Sequence, residues 1–483
     1  MPYSFVGIQT IYLATNFNPI YWDTACLIVN SGSLEDNSEE EVVDIYDPEG
    51  QDLSEGVKFE DLPDGKAKVR RTMSTDYGKV AKAIGDIQSK GIEVSLANIN
   101  KSQFGFAPDI ENNRILFGLK GMLNVGDEVV DAIIANRPYK SPRDFLNKVK
   151  PGKQAMISLI KGGAFDDMMD RKTCMGWYIW ETCDKKKRIT LQNMGGLIKH
   201  NLLPEEKEEY VMARRVYEFN RYLKAICKFN TTYYKLDERA INFLTEINCE
   251  NYIHTNNDVF YLDIKQWDKK VYQPWMDVFR EWININKDQI LEMLNMSIFK
   301  EDWDKYASGT ISAWEMEVLC FYYHEHELKN INNEKYGFVN FFDLAEEPIV
   351  EKIYTARNGN QIRTFELSKI CGTCIAKNKT RSTVTLLTTD GVVDVKFRKE
   401  YFALFDKQIS EKQADGTKKI MEKSWFNRGH MIAVQGFRSG DNFIPKKYAS
   451  SSGHQLYKIN QICPNGEIKL QSERYKGGIE EDV

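Results

Sequence analysis

The apolar pattern of the chain changes at Phe365, and this change most restricts the fold. Helical spacing dominates before that point, whereas the residues after it form short alternating runs: SKICGTCIAKN, STVTLLTTDGVVDVKF, HMIAVQGFRSGDNFIP and LYKINQI. Turn signals such as Thr389-Asp390-Gly391 separate these runs, and one helix-like insert lies near Glu400 to Phe405. About five strands with one helical insert predict a small β-barrel of the OB type.

The region before this barrel is predicted to be helical and to contain more than one domain. A chain of 483 residues is too long for a single ordinary domain. Helices are predicted over residues 1–30 with a break at Asn18-Pro19, over Tyr77 to Lys90, over Asp127 to Asn136 and over Glu205 to Phe229. Residues 31–65 contain thirteen Asp or Glu and one Lys, which is typical of an exposed acidic excursion. The predicted fold class is therefore multidomain α+β.

A glycine-containing turn, GLKGMLNVG at Gly118 to Gly126, precedes the helix predicted to begin at Asp127. Helix, glycine hairpin and helix, repeated about 35 residues later, is the pattern of a tandem helix-hairpin-helix. Backbone N–H groups exposed at such a turn can bind a phosphate without reading base identity. The second copy is either Pro151-Gly152 or the KGG at Lys161 to Gly163, and close helix packing through glycine is the alternative explanation. The candidate DNA-binding residues are Lys120, Gly121, Asn124, Val125, Gly126, Lys161, Gly162 and Gly163.

The predicted barrel supplies a second set of candidate DNA-binding residues. OB-type barrels bind single strands through basic side chains and stacking aromatic rings. A solvated charged surface with aromatics in the core is the competing interpretation. The candidates are Arg381, Lys396, Arg398, Lys399, Trp425, Arg428, Phe437, Arg438, Lys446 and Lys447.

Three other motifs are interpreted as structural. Cys371 and Cys374 lack a second metal-binding pair, and in a strand they point to opposite faces or are buried. His324 and His326 are predicted to cap or pack at the end of an amphipathic helix, and Asp166-Asp167 to cap a helix. The sequence contains no Walker loop, GxSxG or HExxH motif, and no strand carries the closely spaced Asp pair of a two-metal site. We therefore predict no catalytic residue, metal site or cofactor in this chain.

The local distribution of charge along the chain favours binding of a polyanion, although the net charge is negative. The formal net charge is −5, but residues 137–161 carry seven Lys or Arg and one Asp. No run approaches the length of a membrane span and the N-terminus does not resemble a signal peptide. Nine scattered cysteines favour a reducing compartment, so a cytoplasmic location is expected.

These motifs, taken in order, resemble the C-terminal portion of the alpha subunit of bacterial DNA polymerase III, a C-family replicative polymerase, in a phage-like version. The resemblance covers nearly the whole chain. In this family Gly-Val-Gly stands in the hairpin where this chain has Asn124-Val125-Gly126, and Gly stands at Cys320. Asn tolerates the left-handed conformation better than other non-glycine residues, so the turn is expected to survive. The matching segments are PYSFVGIQTIYLATNFNPIYWDTACL, KGIEVSLANINKSQFGF, RILFGLKGMLNVGDEVVDAIIANRPYKSPRDFLNKV, LIKGGAFD and WEMEVLCFYYHEHEL.

The resemblance implies a division of the chain into four segments. Residues 1–100 correspond to a late fingers segment with the acidic excursion, 101–175 to the tandem helix-hairpin-helix, 176–348 to a helical clamp-binding-like region and 349–483 to the OB domain and tail. A degenerate clamp peptide is expected at Met296 to Phe299, with Ile298 and Phe299 as the contact residues, or at Gln289 to Leu294.

The resemblance also implies that the palm with its catalytic aspartates is absent from this chain. Mg²⁺ and deoxynucleoside triphosphates would then belong to a separate catalytic chain acting in trans. The expected function is to bind duplex template–primer and single-stranded template, associate with a sliding clamp and support processivity as part of a split polymerase. A stand-alone DNA- or clamp-binding decoy is the alternative.

Overall fold

A computed structural model describes residues 2–16, 18–33, 57–61, 67–71, 75–256, 258–355, 359–412, 418–448 and 454–475. The chain divides into two compact units, Met1–Met175 with Gly309–Val483 and Gly176–Ser308. We call these the barrel unit and the helical unit. Most of the predicted acidic excursion lies outside the described residues.

The barrel unit begins with the helices predicted from the sequence. Helix α1 ends at Asn16, and α2 starts at Pro19, where the fixed φ of proline suits the first helical position. Asp76 caps α3 by accepting a hydrogen bond from the Lys79 N–H at 3.1 Å. The bounds are α1 Pro2–Asn16, α2 Pro19–Ser31, β1 Val57–Asp61, β2 Ala67–Arg71, α3 Tyr77–Ser89, β3 Glu93–Val94, β4 Ala107–Asp109 and β5 Arg114–Leu116.

Four short helices follow in the region predicted to hold the two hairpins. Their bounds are α4 Asp127–Ala135, α5 Pro142–Val149, α6 Lys153–Lys161 and α7 Arg171–Thr182. Ser141 caps α5 through its side chain, and Pro142 occupies the first turn of that helix. The predicted helix starting at Asp127 is thus confirmed.

The helical unit contains a small antiparallel sheet in the order β6-β8-β7 and one long helix. That helix, α12, has a break in helical geometry at Asn286, whose side chain donates to the Trp282 carbonyl at 2.9 Å. The bounds are α8 Met194–Lys199, α9 Glu208–Ala225, β6 Tyr233–Lys235, α10 Glu238–Glu246, β7 Ile253–Asn256, β8 Val259–Asp263, α11 Ile264–Trp267 and α12 Gln273–Tyr306.

The C-terminal part of the barrel unit is a closed five-stranded barrel, as the sequence predicts. Its strands are hydrogen-bonded in the order β11-β12-β13-β17-β16, and β16 pairs with β11 to close the cylinder. Within the barrel, β13 and β17 pair in parallel and the other neighbouring strands pair antiparallel. Helix α15 lies between β13 and β16 in the sequence, as in an OB fold. The remaining bounds are α13 Ile311–Leu319, α14 Asn333–Tyr336, β9 Val350–Thr355, β10 Gln361–Phe365, β11 Ser368–Asn378, β12 Thr383–Leu387, β13 Val392–Lys396, α15 Lys399–Asp406, β14 Ile409–Lys412, β15 Lys418–Glu422, β16 Met431–Ser439, β17 Asn442–Pro445, β18 Leu456–Ile462 and β19 Ile468–Gln471.

The barrel core explains why the apolar pattern of its strands alternates. Val384 and Leu386 of β12 and Val393 and Val395 of β13 point inward and are fully or almost fully buried. The hairpin of β18 and β19 extends the sheet beyond β16. None of the helices among the described residues is long and apolar enough to cross a membrane.

Candidate nucleic-acid interface

The first hairpin adopts the conformation that its sequence predicts. Asn124 has φ 63°, in the left-handed region that favours glycine and tolerates asparagine. Its side chain donates to the Ser158 hydroxyl at 3.2 Å. Val125 is buried and anchors the turn, while Gly126 precedes the first turn of α4 in extended geometry, with φ −80° and ψ 165°. The turn therefore adopts the left-handed conformation expected for it, with asparagine at position 124.

A second turn repeats this conformation residue by residue. Lys150 has φ 50°, Pro151 follows, and Gly152 precedes α6 in extended geometry, with φ −61° and ψ 155°. Of the two positions that the sequence leaves open for the second copy, Pro151-Gly152 is thus the structural equivalent of Val125-Gly126. Gly152 was named only within one of the two alternatives for the second copy, and Lys150 was missed as a site residue because lysine does not itself favour the left-handed conformation that it adopts here.

The glycines that precede the two helices do not serve close packing. A side chain at Gly126 or Gly152 would meet no atom within 4 Å, among the residues described. Gly118, by contrast, packs against the backbone of Gly105 and Phe106, where a side chain cannot fit. The packing explanation therefore holds for Gly118 and not for the two hairpin glycines. No side chain of the described residues caps α4 or α6 at Gly126 or Gly152.

The two hairpins differ in charge. At the first, Lys120 forms an ion pair with Asp127, and Glu128 adds a second carboxylate to the first turn of α4. At the second, Lys148 pairs with Asp144 at 3.1 Å, and Lys150 is exposed at the turn. The second hairpin therefore carries the more positive surface.

The residues of the KGG motif lie inside the protein. The Lys161 ammonium is buried and donates to Glu317 Oε2 at 2.6 Å. Gly162 packs against Met122 and Leu319, and Gly163 has φ 78° beside the side chains of Arg171 and Asp166. These residues join α6 to α13 and present no exposed backbone to a ligand. Their predicted contact with DNA stays untested, and the proposal below does not depend on it.

The basic candidates on the barrel separate into exposed and engaged side chains. Arg428 stacks over the Tyr77 ring at 5.0 Å and donates to the Ile375 carbonyl at 3.2 Å. Lys446 is half-buried, with its ammonium 5.5 Å from the centre of the Tyr448 ring. The exposed residues are Arg381, Lys396, Arg398, Lys399 and Lys447.

Three other barrel candidates have side chains that are buried or half-buried. Trp425 is completely buried, and its indole N–H donates to Glu422, so its ring presents no face for base stacking. Phe437 is half-buried against Phe365, with ring centres 4.8 Å apart. Arg438 is 11% exposed and donates to the carbonyl of Leu344 at 2.9 Å. The core interpretation is the correct one for Trp425.

The Cys and His motifs have structural roles. Cys371 packs against the cluster under β18 and β19, whereas Cys374 belongs to the barrel core, so the two side chains point to opposite faces of β11 as predicted. The helix predicted through His324 and His326 instead ends at Leu319, because Cys320 adopts φ 68°. His326 caps the following 3₁₀ turn by accepting from the Leu328 N–H at 3.1 Å, which confirms the predicted capping role.

The pair Asp166-Asp167 does not cap a helix, so that prediction is wrong. Asp166 accepts from Arg171, and Asp167 accepts from Lys101 at 2.9 Å and from Asn98 at 2.8 Å. Asp170 instead caps α7, accepting from the Thr173 N–H at 3.0 Å.

The candidate clamp-contact residues lie in α12 of the helical unit. Phe299 is half-buried between Trp180 and Trp303, with ring centres 5.8 Å and 5.9 Å away. Ile298 packs partly buried against the apolar core of the same unit. Clamp binding through these residues stays a prediction.

The sequence matches a family model described as a helix-hairpin-helix motif over residues 91–174. It is 36% identical over 485 residues to the probable DNA polymerase YorL of Bacillus subtilis (strain 168), and equally to the DNA-directed DNA polymerase of Bacillus phage SPbeta. Each alignment covers 98% of this chain and 35% of the relative, so the chain spans about a third of the length of these relatives.

Shorter matches are to the DNA polymerase III subunit alpha of two other bacteria. The DNA polymerase III subunit alpha of Thermus aquaticus is 39% identical over 103 residues, which cover 20% of this chain and 8% of that protein. The DNA polymerase III subunit alpha of Aquifex aeolicus (strain VF5) is 36% identical over 105 residues.

Proposed function

We propose that this chain, which is homologous to the C-terminal region of the DNA polymerase III alpha subunit, binds DNA through its two hairpins and supports template–primer binding by a catalytic polymerase chain. The hairpins hold the duplex by its phosphates, without regard to base sequence. The barrel holds the single-stranded template through its exposed basic residues.

One observation carries the proposal: the two hairpins share a conformation that leaves both helix N-termini open. In each hairpin a left-handed residue, Asn124 or Lys150, is followed by a glycine that precedes a nine-residue helix. A Cβ added at Gly126 or Gly152 would meet no described atom within 4 Å, which is consistent with room for a phosphate beside each helix N-terminus. Glycines that only allow close packing would instead lie against neighbouring atoms, as Gly118 does.

The charge difference between the hairpins assigns them unequal roles in this proposal. Asp127 neutralises Lys120 at the first hairpin, whereas Lys150 stands exposed at the second. A phosphate contact gains most where a cation adds to the partial positive charge of the helix N-terminus. The second hairpin therefore contributes the larger share of the salt-dependent affinity.

The test is DNA binding measured by fluorescence anisotropy across a salt series, with duplex primer–template as the probe. Gly126→Val and Gly152→Val are expected to weaken binding at least about tenfold together, because the added side chain occupies the space of the phosphate. Lys150→Met is expected to lower the slope of log affinity against log salt by about one. Lys120→Met should lower the slope of log affinity against log salt by less.

Lys329→Met is the matched charge control, since this exposed lysine pairs only with Glu325 on the surface. It should leave affinity and salt slope unchanged. Unchanged affinity in both glycine variants, with the thermal melting transition intact, would refute the hairpin assignment. A loss confined to particular base sequences would also contradict phosphate binding.

A separate catalytic chain and a sliding clamp are the partners that we propose for this function. The support is the similarity, over 98% of this chain, to proteins named as DNA polymerases. Primer extension with Mg²⁺ should give no product with this chain alone and longer products when the polymerase chain is added. Stable co-purification with a polymerase chain would support the split enzyme, whereas DNA or clamp binding without that partner would support the decoy.

A further inference from the structure

A cavity of about 370 Å³ lies beside the barrel, where β15 and the start of β16 meet the β18–β19 hairpin and the segment after it. None of the candidate DNA-binding residues predicted from the sequence lines this cavity. Its basic side chains are Lys423, His430, Lys458 and Arg474. The acidic ones are Glu422 and Glu473.

Glu422 is fully engaged in the wall of the cavity. Its carboxylate accepts from the Trp425 indole at 2.8 Å, from the Gln471 amide at 2.7 Å and from Arg474 Nε at 2.7 Å. The Arg474 guanidinium also donates to the carbonyls of Leu404 and Phe405, both at 2.9 Å. Glu422 and Arg474 are both buried and pair with each other, so Glu422 offsets the charge of Lys458 only in part.

Lys458 is a half-buried cation that forms no ion pair with any residue the structure describes. It is held in β18 opposite Ile432 of β16. Burial lowers the pKa of its ammonium, partly offset by Glu422 and reinforced by Arg474 and Lys423. A desolvated cation without a counter-charge is costly, and an anion in the cavity would offset that cost.

Lys423 and His430 also line the cavity. Lys423 is exposed at the rim. Burial lowers the pKa of His430 to about 4, so its ring is neutral at pH 7. Its buried Nδ1 has no hydrogen-bond partner among the described residues, although the nearby carbonyls of Ser424 and Trp425 favour the protonated ring.

We propose that this cavity is a phosphate-binding site, in which Lys458 and Lys423 hold the anion. Compact ammonium groups suit a phosphate of variable orientation, and the low local polarity strengthens each contact. The ligand is either a free phosphate compound or a phosphate of a nucleic-acid strand that passes the barrel. The site stands apart from the two hairpins and does not depend on their function.

The probe is inorganic pyrophosphate, titrated into the full chain by isothermal calorimetry without added metal. Lys458→Gln is expected to weaken binding at least about tenfold, which corresponds to about 1.4 kcal/mol. Lys423→Gln, at the exposed rim where no folding defect is expected, should weaken it in the same direction. Lys469→Gln is the control: it removes the same charge from an exposed position in β19, outside the cavity lining.

A second titration, with a short single-stranded oligonucleotide, separates the two sources of phosphate. Loss of both pyrophosphate and oligonucleotide binding in Lys458→Gln identifies a strand phosphate, whereas loss of pyrophosphate binding alone identifies a free ligand. Binding should persist in the Gly126→Val, Gly152→Val double variant, so failure of the hairpin proposal leaves this one standing. No pyrophosphate binding to the unaltered chain, or an equal loss in Lys469→Gln, would overturn the proposal.

Discussion

Arg171 and Glu315 form an ion pair that is almost completely removed from solvent. Nη1 of Arg171 lies 2.9 Å from Oε1 of Glu315, and the two side chains are 3% and 0% exposed. Glu315 also accepts from the backbone N–H groups of Tyr323 and His324 at 3.1 and 3.0 Å. The pair joins the first residue of α7 to α13, and so fixes the hairpin helices to the segment that leads into the barrel.

Removing one member of this pair is expected to destabilise the barrel unit strongly. Glu315→Ala removes one of the two carboxylates that pair with the buried Arg171 guanidinium and leaves two backbone N–H groups without their acceptor, which should cost about 3 kcal/mol of unfolding free energy. Urea denaturation followed by circular dichroism measures the loss. Glu467→Ala is the control, because its pair with Lys335 is solvent-exposed and should contribute less than about 1 kcal/mol. Equal losses in the two variants would show that burial of the pair is unimportant.

The left-handed backbone at Asn124 predicts opposite outcomes for two substitutions. Asn124→Gly removes the strain of φ 63° but also the hydrogen bond to Ser158, so stability should stay within about 1 kcal/mol of the parent. Asn124→Val forces a β-branched residue into this region and should cost about 1–3 kcal/mol. Thermal melting distinguishes the two, and a valine variant as stable as the glycine variant would exclude the αL assignment.

His326 predicts an acid-sensitive component of stability. Its Nδ1 accepts from the Leu328 N–H at 3.1 Å, and its Nε2 lies 3.2 Å from the Leu387 carbonyl, an arrangement that suits the neutral ring. Burial lowers its pKa to about 4, against about 6.5 in the unfolded chain. The unfolded state therefore binds the proton more readily, so the contribution is complete above about pH 6.5 and lost as the pH falls toward 4.

Urea denaturation at pH 7 and pH 5 measures this component. His326→Gln, which keeps one acceptor and one donor without titrating, should show a smaller loss of stability between the two pH values than the parent. His254→Gln is the control, because that histidine is exposed in β7 and its replacement should not alter the difference. An unchanged pH dependence in His326→Gln would contradict the prediction.

Arg438 is expected to matter for folding rather than for DNA. Its guanidinium donates to the carbonyls of Leu344 and Gly440, both at 2.9 Å, and stacks over the Phe341 ring at 4.7 Å. Arg438→Ala should cost about 1 kcal/mol of unfolding free energy, because the part-buried Leu344 carbonyl loses its donor and the Phe341 ring loses its stacking partner. Single-strand affinity of the folded variant should stay within about twofold of the parent. Lys399→Ala, at an exposed position of α15, should show the reverse: lower affinity and unchanged stability.

Much of the fold was predictable because its signals are local. The alternation in β11 to β13, the turn residues between them and the insert near Glu400 indicate a small barrel, and the structure contains one. The helix predicted at Asp127 and the left-handed turn at Asn124 likewise follow from neighbouring residues. Local periodicity and backbone preference do not depend on distant contacts, so a single sequence contains them.

The site itself was decided by contacts between residues far apart in the chain. Gly126 and Gly118 look alike in the sequence, yet one faces open space and the other packs against the backbone of Gly105. Lys161 is buried although its partner Glu317 is 54% exposed, and the two residues lie far apart in the sequence. Lys458 forms no ion pair with a described residue, whereas Glu422 in the same cavity wall pairs with Arg474. Exposure and the state of a charge are properties of the folded surroundings, and only the tertiary structure brings those surroundings together.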